Sequence, residues 1–244
     1  MTVVVVHPDA ATLAHDIAAR MVAKLVAIQA GGGIPSVVLT GGTIAANAYE
    51  AVRESADRDT VDWSRVELWW GDERFLPSGD PDRNETQVRE ALLDAVPLAP
   101  ERVHPMPASD GPDGDDPDAA AAGYAALLDQ PLPQFDLVLL GIGPDGHVAS
   151  LFPGFANLDD DRPASAVRDS PKPPPVRITL SFGVLNSADE VWVLASGAEK
   201  AKAVGAALGG AGRHEIPAAG VHGTRATKWL LDQDAASALA IHGD

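Results

Sequence analysis

Asp145 and His147 stand two residues apart at the end of the run Leu137-Val138-Leu139-Leu140-Gly141-Ile142-Gly143-Pro144-Asp145-Gly146-His147-Val148. A histidine titrates near neutrality and can pass a proton in either direction. The apolar residues before the pair have the length and continuity of a strand covered on both faces. In open α/β sheets, ligands bind beyond the carboxyl ends of such strands. The pair therefore stands where chemistry is expected, on a tight loop shaped by Gly141, Gly143 and Gly146.

Three further stretches carry donors or titratable groups. Thr40-Gly41-Gly42-Thr43 turns from an apolar strand into a helix. Glycines there let backbone N–H groups approach an anion, and the helix dipole favours phosphate. The competing role for Thr43 is a plain helix cap. Trp70-Gly71-Asp72-Glu73-Arg74, with Asp82-Arg83-Asn84 behind it, also ends an apolar run. It reads as a strand-end loop, either a solvated ion-pair cluster or part of a shared site. Arg177 precedes a short apolar element, and Lys200 falls in the first turn of a helix. A cation gains nothing from the dipole at that end, so an anion bound nearby would account for it.

Two formal matches fail on closer reading. Gly141-x-Gly143-x-x-Gly146 has the spacing of a dinucleotide fingerprint, but that motif should open a long helix, and Pro153 follows only seven residues later. The acidic ribose partner would fall near Ala166. The acidic, turn-rich stretch 107–118 lacks the bidentate glutamate of a calcium loop, since Pro117 and Ala120 occupy the two positions where it would lie. It reads as a surface loop.

The elements that must position these groups alternate. Strands are expected at Val3–Val6, Val37–Leu39, Val66–Trp70, Leu137–Leu140, Glu190–Ala195 and Thr227–Leu231. Helices are expected after Asp9, over Ile44–Arg53, from Asn84 to about Asp94, over Asp118–Leu128, from Gly197 to Gly209, and as a last turn over Asp234–Leu239. In the first of these, Leu13, Ile17, Met21, Leu25 and Ile28 recur at helical spacing. Alternation of this kind predicts an α/β fold, doubly wound and Rossmann-like, with a mostly parallel sheet and helices on both faces. The proline-rich region 163–175, with a short possible strand at Ala166–Arg168, predicts a smaller irregular or β excursion. No repeat or linker divides the 244 residues, so one domain spanning 1–244 is expected.

The net charge of −17 argues against nucleic acid and anionic membranes as partners. It also requires that any site for an anion gather its few cations locally. With no cysteine, disulfides and thiolate metal sites are excluded, and a reducing cytoplasm is the natural setting. The first apolar run, Val3–Val6, is too short for a signal peptide or a membrane span. A monomer or weak homo-oligomer is expected.

Taken together and in order, these stretches resemble the 6-phosphogluconolactonase family, within the glucosamine-6-phosphate isomerase/6-phosphogluconolactonase superfamily. The resemblance rests on Leu39-Thr40-Gly41-Gly42-Thr43, Trp70–Arg74 with Asp82-Arg83-Asn84, Gly141–Gly154, and Pro173–Leu180 leading to Gly197–Ala201. It implies hydrolysis of 6-phospho-D-glucono-1,5-lactone to 6-phosphogluconate, the second step of the oxidative pentose phosphate pathway, with no metal or organic cofactor. In that setting His147 would activate water, and Asp145 or Asp72 would hold its tautomer. Arg74 would serve either the C1 oxyanion or anion binding. Gly41, Gly42 and Thr43, with Gly143, Arg177 and Lys200, would bind the substrate and its phosphate. Many relatives carry serine at position 43 and proline at 45, where this chain has Thr43 and Ala45; the hydroxyl is kept.

Two rivals are weighed against this reading. The sister enzyme, glucosamine-6-phosphate deaminase, carries a glutamate five residues after the histidine, where this chain has Phe152, and a tyrosine where it has Arg74. A non-catalytic sugar-phosphate sensor of related fold would usually accompany a DNA-binding segment, and this chain has no basic segment to spare.

Overall fold

The computed structural model describes residues 1–128 and 133–239. Seven strands form the main sheet: β1 (Thr2–His7), β2 (Ser36–Leu39), β3 (Glu67–Trp70), β5 (Val103–His104), β6 (Leu137–Gly141), β9 (Glu190–Ala195) and β10 (Ala226–Asp232). Their order is β1-β10-β9-β6-β2-β3-β5, with every pairing parallel. The central strands β2 and β6 are buried and almost wholly apolar up to Gly141, as a parallel sheet covered on both faces requires.

The helices are α1 (Ala10–Ala30), α2 (Thr43–Glu54), α3 (Asn84–Ala91), α4 (Pro117–Leu128), α5 (Phe182–Leu185) and α6 (Ala201–Leu208). The Asp9 carboxylate caps α1 by accepting from the Thr12 N–H at 2.7 Å, and Leu13, Ile17, Met21 and Leu25 form its buried stripe. The helices α1 and α2 pack against each other on one face. Crossovers through α4 and α6 run the opposite way along the sheet, and the right-handed rule sends them to the other face. From β2 the chain steps outward to β3 and β5. It then returns to lay β6 on the far side of β2, and steps outward again through β9 to β10. The direction thus reverses between β2 and β6, which is where a doubly wound sheet opens a crevice at its carboxyl edge.

The β excursion is a second sheet. β4 (Asp72–Arg74), β8 (Arg177–Leu180) and β7 (Ala164–Val167) form an antiparallel set in the order β4-β8-β7. Asp72-Glu73-Arg74 is therefore a strand rather than a loop. Three residues show too little periodicity to read as a strand; β8, a hundred residues later, makes them one by pairing. Three helices also differ from expectation. A 3-10 turn at Ala198–Lys200 precedes α6, so Lys200 stands at the N-cap rather than inside the first turn. α3 ends at Ala91 and gives way to a 3-10 turn at Leu93–Ala95. Asp234–Leu239 forms turns rather than a helix, a segment too short to repay nucleation.

Glu73 is the junction of these parts. Its side chain is fully buried and accepts from the backbone N–H groups of Arg74, Asn84 and Glu85 at 2.8, 2.6 and 2.9 Å. It therefore caps α3 from a distant strand and complements the helix dipole. Arg83, also buried, lies 3.6 Å away and donates to the carbonyls of Leu76 and Met106. Burial pushes the Glu73 carboxyl up, while Arg83 and the three N–H groups pull it back. Removing one partner strands the other without compensation. Glu73→Ala is expected to lower the unfolding free energy by about 3–5 kcal/mol in urea denaturation, and Glu73→Gln by less.

Candidate active site

The loops at the carboxyl ends of β2, β3, β6 and β9 converge on one cleft of about 230 Å³. It is bordered by Gly41 and Gly42 after β2, by Asp72 and Arg74 on β4, by Gly143 and His147 after β6, and by Arg177 and Lys200. Of the ten residues singled out from the sequence, these eight line it together. Thr43 and Asp145 are not in its lining. Thr43 borders an adjoining cavity of about 450 Å³ that shares Gly41, Gly42 and Lys200 with the cleft. No residue of the acidic stretch 107–118 reaches it.

The centre of the cleft is a dyad. Nδ1–H of His147 donates to Asp145 Oδ1 at 2.5 Å, and the same oxygen accepts from the His147 backbone N–H at 3.3 Å. With Nδ1 so committed, Nε2 carries the free lone pair. Burial raises the Asp145 carboxyl, but the hydrogen bonds and charge of His147, with Lys172 nearby, outweigh it and hold the group at about 2. Asp145 is therefore ionised at neutral pH. The stability this adds is complete above the unfolded carboxylate range and is lost as pH falls toward 2. Phe152 packs beside the imidazole, with ring centroids 4.6 Å apart, and fixes its other side.

The loop that carries the dyad is built on backbone hydrogen bonds. Gly143 N–H donates to His147 C=O and Gly146 N–H to Gly143 C=O, both at 2.9 Å. Gly146 has φ 84°, and Ala149, two residues past the histidine, sits in the left-handed region at φ 49°. A side chain on a residue in that region is strained and marks a constrained site. Gly143 was expected to bind substrate. It lines the cleft, its N–H is taken by the His147 carbonyl, and a Cβ there would collide with the His147 ring and the Asp145 carboxylate.

Asp72 does not touch the imidazole. Its Oδ2 accepts from Ser150 Oγ at 2.7 Å, and its backbone and side-chain oxygens accept from Asn84 Nδ2 at 2.8 and 3.3 Å. Asn84 in turn presses on Gly41, whose missing Cβ leaves the room. Of the two carboxylates considered for the tautomer-holding role, Asp145 alone has the geometry. Thr43 begins α2 but caps nothing: the N-cap is Gly42, at φ 99°, with no side-chain hydrogen bond. The first N–H groups of α2 are thus left for a ligand.

The cations fall into two groups. Arg74 and Arg177 face each other across the β4–β8 pairing, next to Asp72. Like charges directly opposite are unfavourable in a sheet. Burial lowers the Arg177 pKa, Asp72 raises it, and Arg74 lowers it again. Arg177 is largely spoken for: Nε donates to Pro174 C=O and a terminal nitrogen to the Lys172 and Pro173 carbonyls, all at 3.2 Å. It acts as a clamp on that loop more than as a free ligand. Arg74 donates to Asp82 C=O at 2.7 Å. Lys200 and Lys172 form the second group, on the Asp145 side. Lys172 and Asn84 were not singled out as site residues. A lone lysine between prolines at a strand end of an acidic chain was the available signal for Lys172.

Residues 8–229 match the family model described as glucosamine-6-phosphate isomerases/6-phosphogluconolactonase. A 6-phosphogluconolactonase of Streptomyces coelicolor is 52% identical over 96% of this chain and 94% of its own. One of Mycobacterium tuberculosis is 46% identical over 96% and 97%. The crystal structure of 6-phosphogluconolactonase from Thermotoga maritima superposes with a TM-score of 0.83 at 27% identity, covering 95% of this chain and all of that one.

Gly143→Ala tests whether the loop is built around the dyad. It is expected to lower turnover by about a hundredfold or more, since a misplacement near 1 Å costs that much, while the melting temperature changes little.

Proposed function

Because the chain belongs to the glucosamine-6-phosphate isomerase/6-phosphogluconolactonase family, we infer that it is a 6-phosphogluconolactonase whose general base is His147. The enzyme hydrolyses 6-phospho-D-glucono-1,5-lactone to 6-phospho-D-gluconate. The observation that carries the base assignment is the His147–Asp145 dyad, with Nε2 free at the carboxyl end of β6.

A δ-lactone is an activated ester, so water attacks it without a covalent nucleophile. Nε2 of His147 removes a proton from water as its oxygen bonds to C1 and the carbonyl becomes an oxyanion. The C1–ring oxygen bond then breaks, and the imidazolium returns the proton to the departing oxygen. Asp145 holds the tautomer and stabilises the imidazolium. Arg74 places positive charge in the same cleft, where it serves the oxyanion or the bound anion.

The 6-phosphate lies between Gly42 with Thr43, at the uncapped start of α2, and Lys200, where the cleft and its neighbouring cavity meet. A phosphate remote from C1 contributes binding and orientation rather than chemistry. The deaminase reading is disfavoured by Phe152, which packs an apolar ring against the imidazole where that reaction would need a carboxylate. The absence of cysteine suits a reducing cytoplasm.

Purified protein given freshly generated lactone is expected to accelerate acid release well above spontaneous hydrolysis. His147→Ala should lower kcat by roughly 10²–10⁴-fold and leave the affinity for 6-phosphogluconate within about threefold. Full turnover by that variant would remove His147 as the base.

A further inference from the structure

The dyad is braced by a segment that does not itself border the cleft. Asp145 and His147 are joined only by Gly146, whose φ of 84° makes the turn that brings carboxylate and imidazole together. Of the two glycines in this turn, Gly143 leaves room for the dyad and Gly146 leaves room for Ile216, from the segment joining α6 to β10. A Cβ on Gly146 would stand 2.8 Å from Ile216 Cγ2, 3.0 Å from its Cδ1 and 3.3 Å from its Cα. The isoleucine is therefore pressed against the glycine backbone.

Two backbone hydrogen bonds tie the same segment to the dyad loop. Ala218 N–H donates to Gly146 C=O at 2.9 Å, and Gly154 N–H donates to His214 C=O at 3.0 Å. In the segment they bracket Ile216; in the loop they bracket His147. The segment is in turn anchored elsewhere. Arg213 is ion-paired to Asp159 at 2.6 Å and lies over the Phe182 ring, 5.6 Å from its centroid. Asn186 Nδ2 donates to Gly220 C=O at 3.0 Å, and Ala218 is fully buried. Ile216 N–H donates to Gly212 C=O, and Ala219 N–H donates to Ile216 C=O. A β-branched side chain on so fixed a backbone has few rotamers, and it holds what it touches to one position.

Resting on the lactonase reading, we propose that Ile216 is a positioning residue for the reaction, acting through Gly146 on the direction of His147 Nε2. Asp145 orients the imidazole by a hydrogen bond, and Ile216 fixes by contact the turn that carries both. Ile216 does not border the cleft, so it touches no substrate. Misplacing a general base is felt in turnover rather than in binding.

Ile216→Ala is expected to lower kcat about tenfold and leave KM within about twofold. Two milder variants separate the contact from burial. Ile216→Val keeps Cγ2 against Gly146 and should hold kcat within about twofold. Ile216→Leu conserves volume, and with it the fold, but lacks that methyl, and should lose about fivefold in kcat. Val22→Ala, a truncation of a buried residue in α1, should lower the melting temperature and spare kcat. The His147 Nδ1 proton, a downfield NMR resonance that His147→Ala removes, should shift or broaden in Ile216→Ala and Ile216→Leu and stay in place in Ile216→Val and Val22→Ala. Full kcat in Ile216→Ala or Ile216→Leu, a loss borne on KM, or an unmoved resonance in Ile216→Leu would each overturn the assignment. Absence of hydrolysis by the unsubstituted protein would instead overturn the lactonase reading, and the resonance would still decide the role of Ile216.

Discussion

A parallel sheet whose chain order reverses cannot be covered at the reversal. The connections leaving β2 and β6 depart to opposite faces, and the carboxyl edge between these two neighbouring strands is left open. Every functional group here depends on that opening. Gly41 and Gly42 leave β2 on one side of it, and Gly141 to His147 leave β6 on the other. The second sheet then walls it, because β4 continues from the end of β3 and pairs with β8. Glu73 locks this wall to α3, and Asn84 at the start of α3 reaches back to Asp72 and Gly41. The cleft is thus bounded by backbone that the core itself holds in place.

Within that frame the chemistry is a matter of charge placement. The chain as a whole repels anions, yet Arg74, Lys172, Arg177 and Lys200 all border one cleft. Bringing them together is unfavourable without a ligand: two arginines lie opposite each other in a sheet, and the charge of Lys172 disfavours that of Lys200. Asp72 and Asp145 offset part of this, one beside each group of cations. On the proposed function, a sugar phosphate would offset the rest, which would couple recognition of the substrate to relief of repulsion already present in the fold. Glycine performs the complementary task of making room, since Gly41 admits Asn84 and Gly143 admits the dyad.

Much of this was legible in the chain alone. The alternation of apolar runs and amphipathic stretches determined the α/β class, the central strands and most helices. The identities of Gly41, Gly42, Arg74, Asp145, His147 and Lys200 as residues of one site also followed from strand-end position and resemblance. The Asp145–His147 pairing was within reach because its partners are two residues apart, a distance over which loop geometry nearly fixes contact. Phe152 distinguished the lactonase from its sister by chemistry of type alone.

What remained was decided by contacts between distant segments. Asp72 bonds to Ser150, seventy-eight residues away, and so leaves the tautomer role to Asp145. Arg177 borders the cleft and also clamps the loop before it, whose carbonyls fold onto the guanidinium. Asp72-Glu73-Arg74 became a strand only when β8 arrived to pair with it, and Glu73 became the cap of a helix that begins eleven residues later. Local sequence carries propensity and residue type. The partner of a buried polar group is set by packing across the whole chain, and only the tertiary structure supplies it.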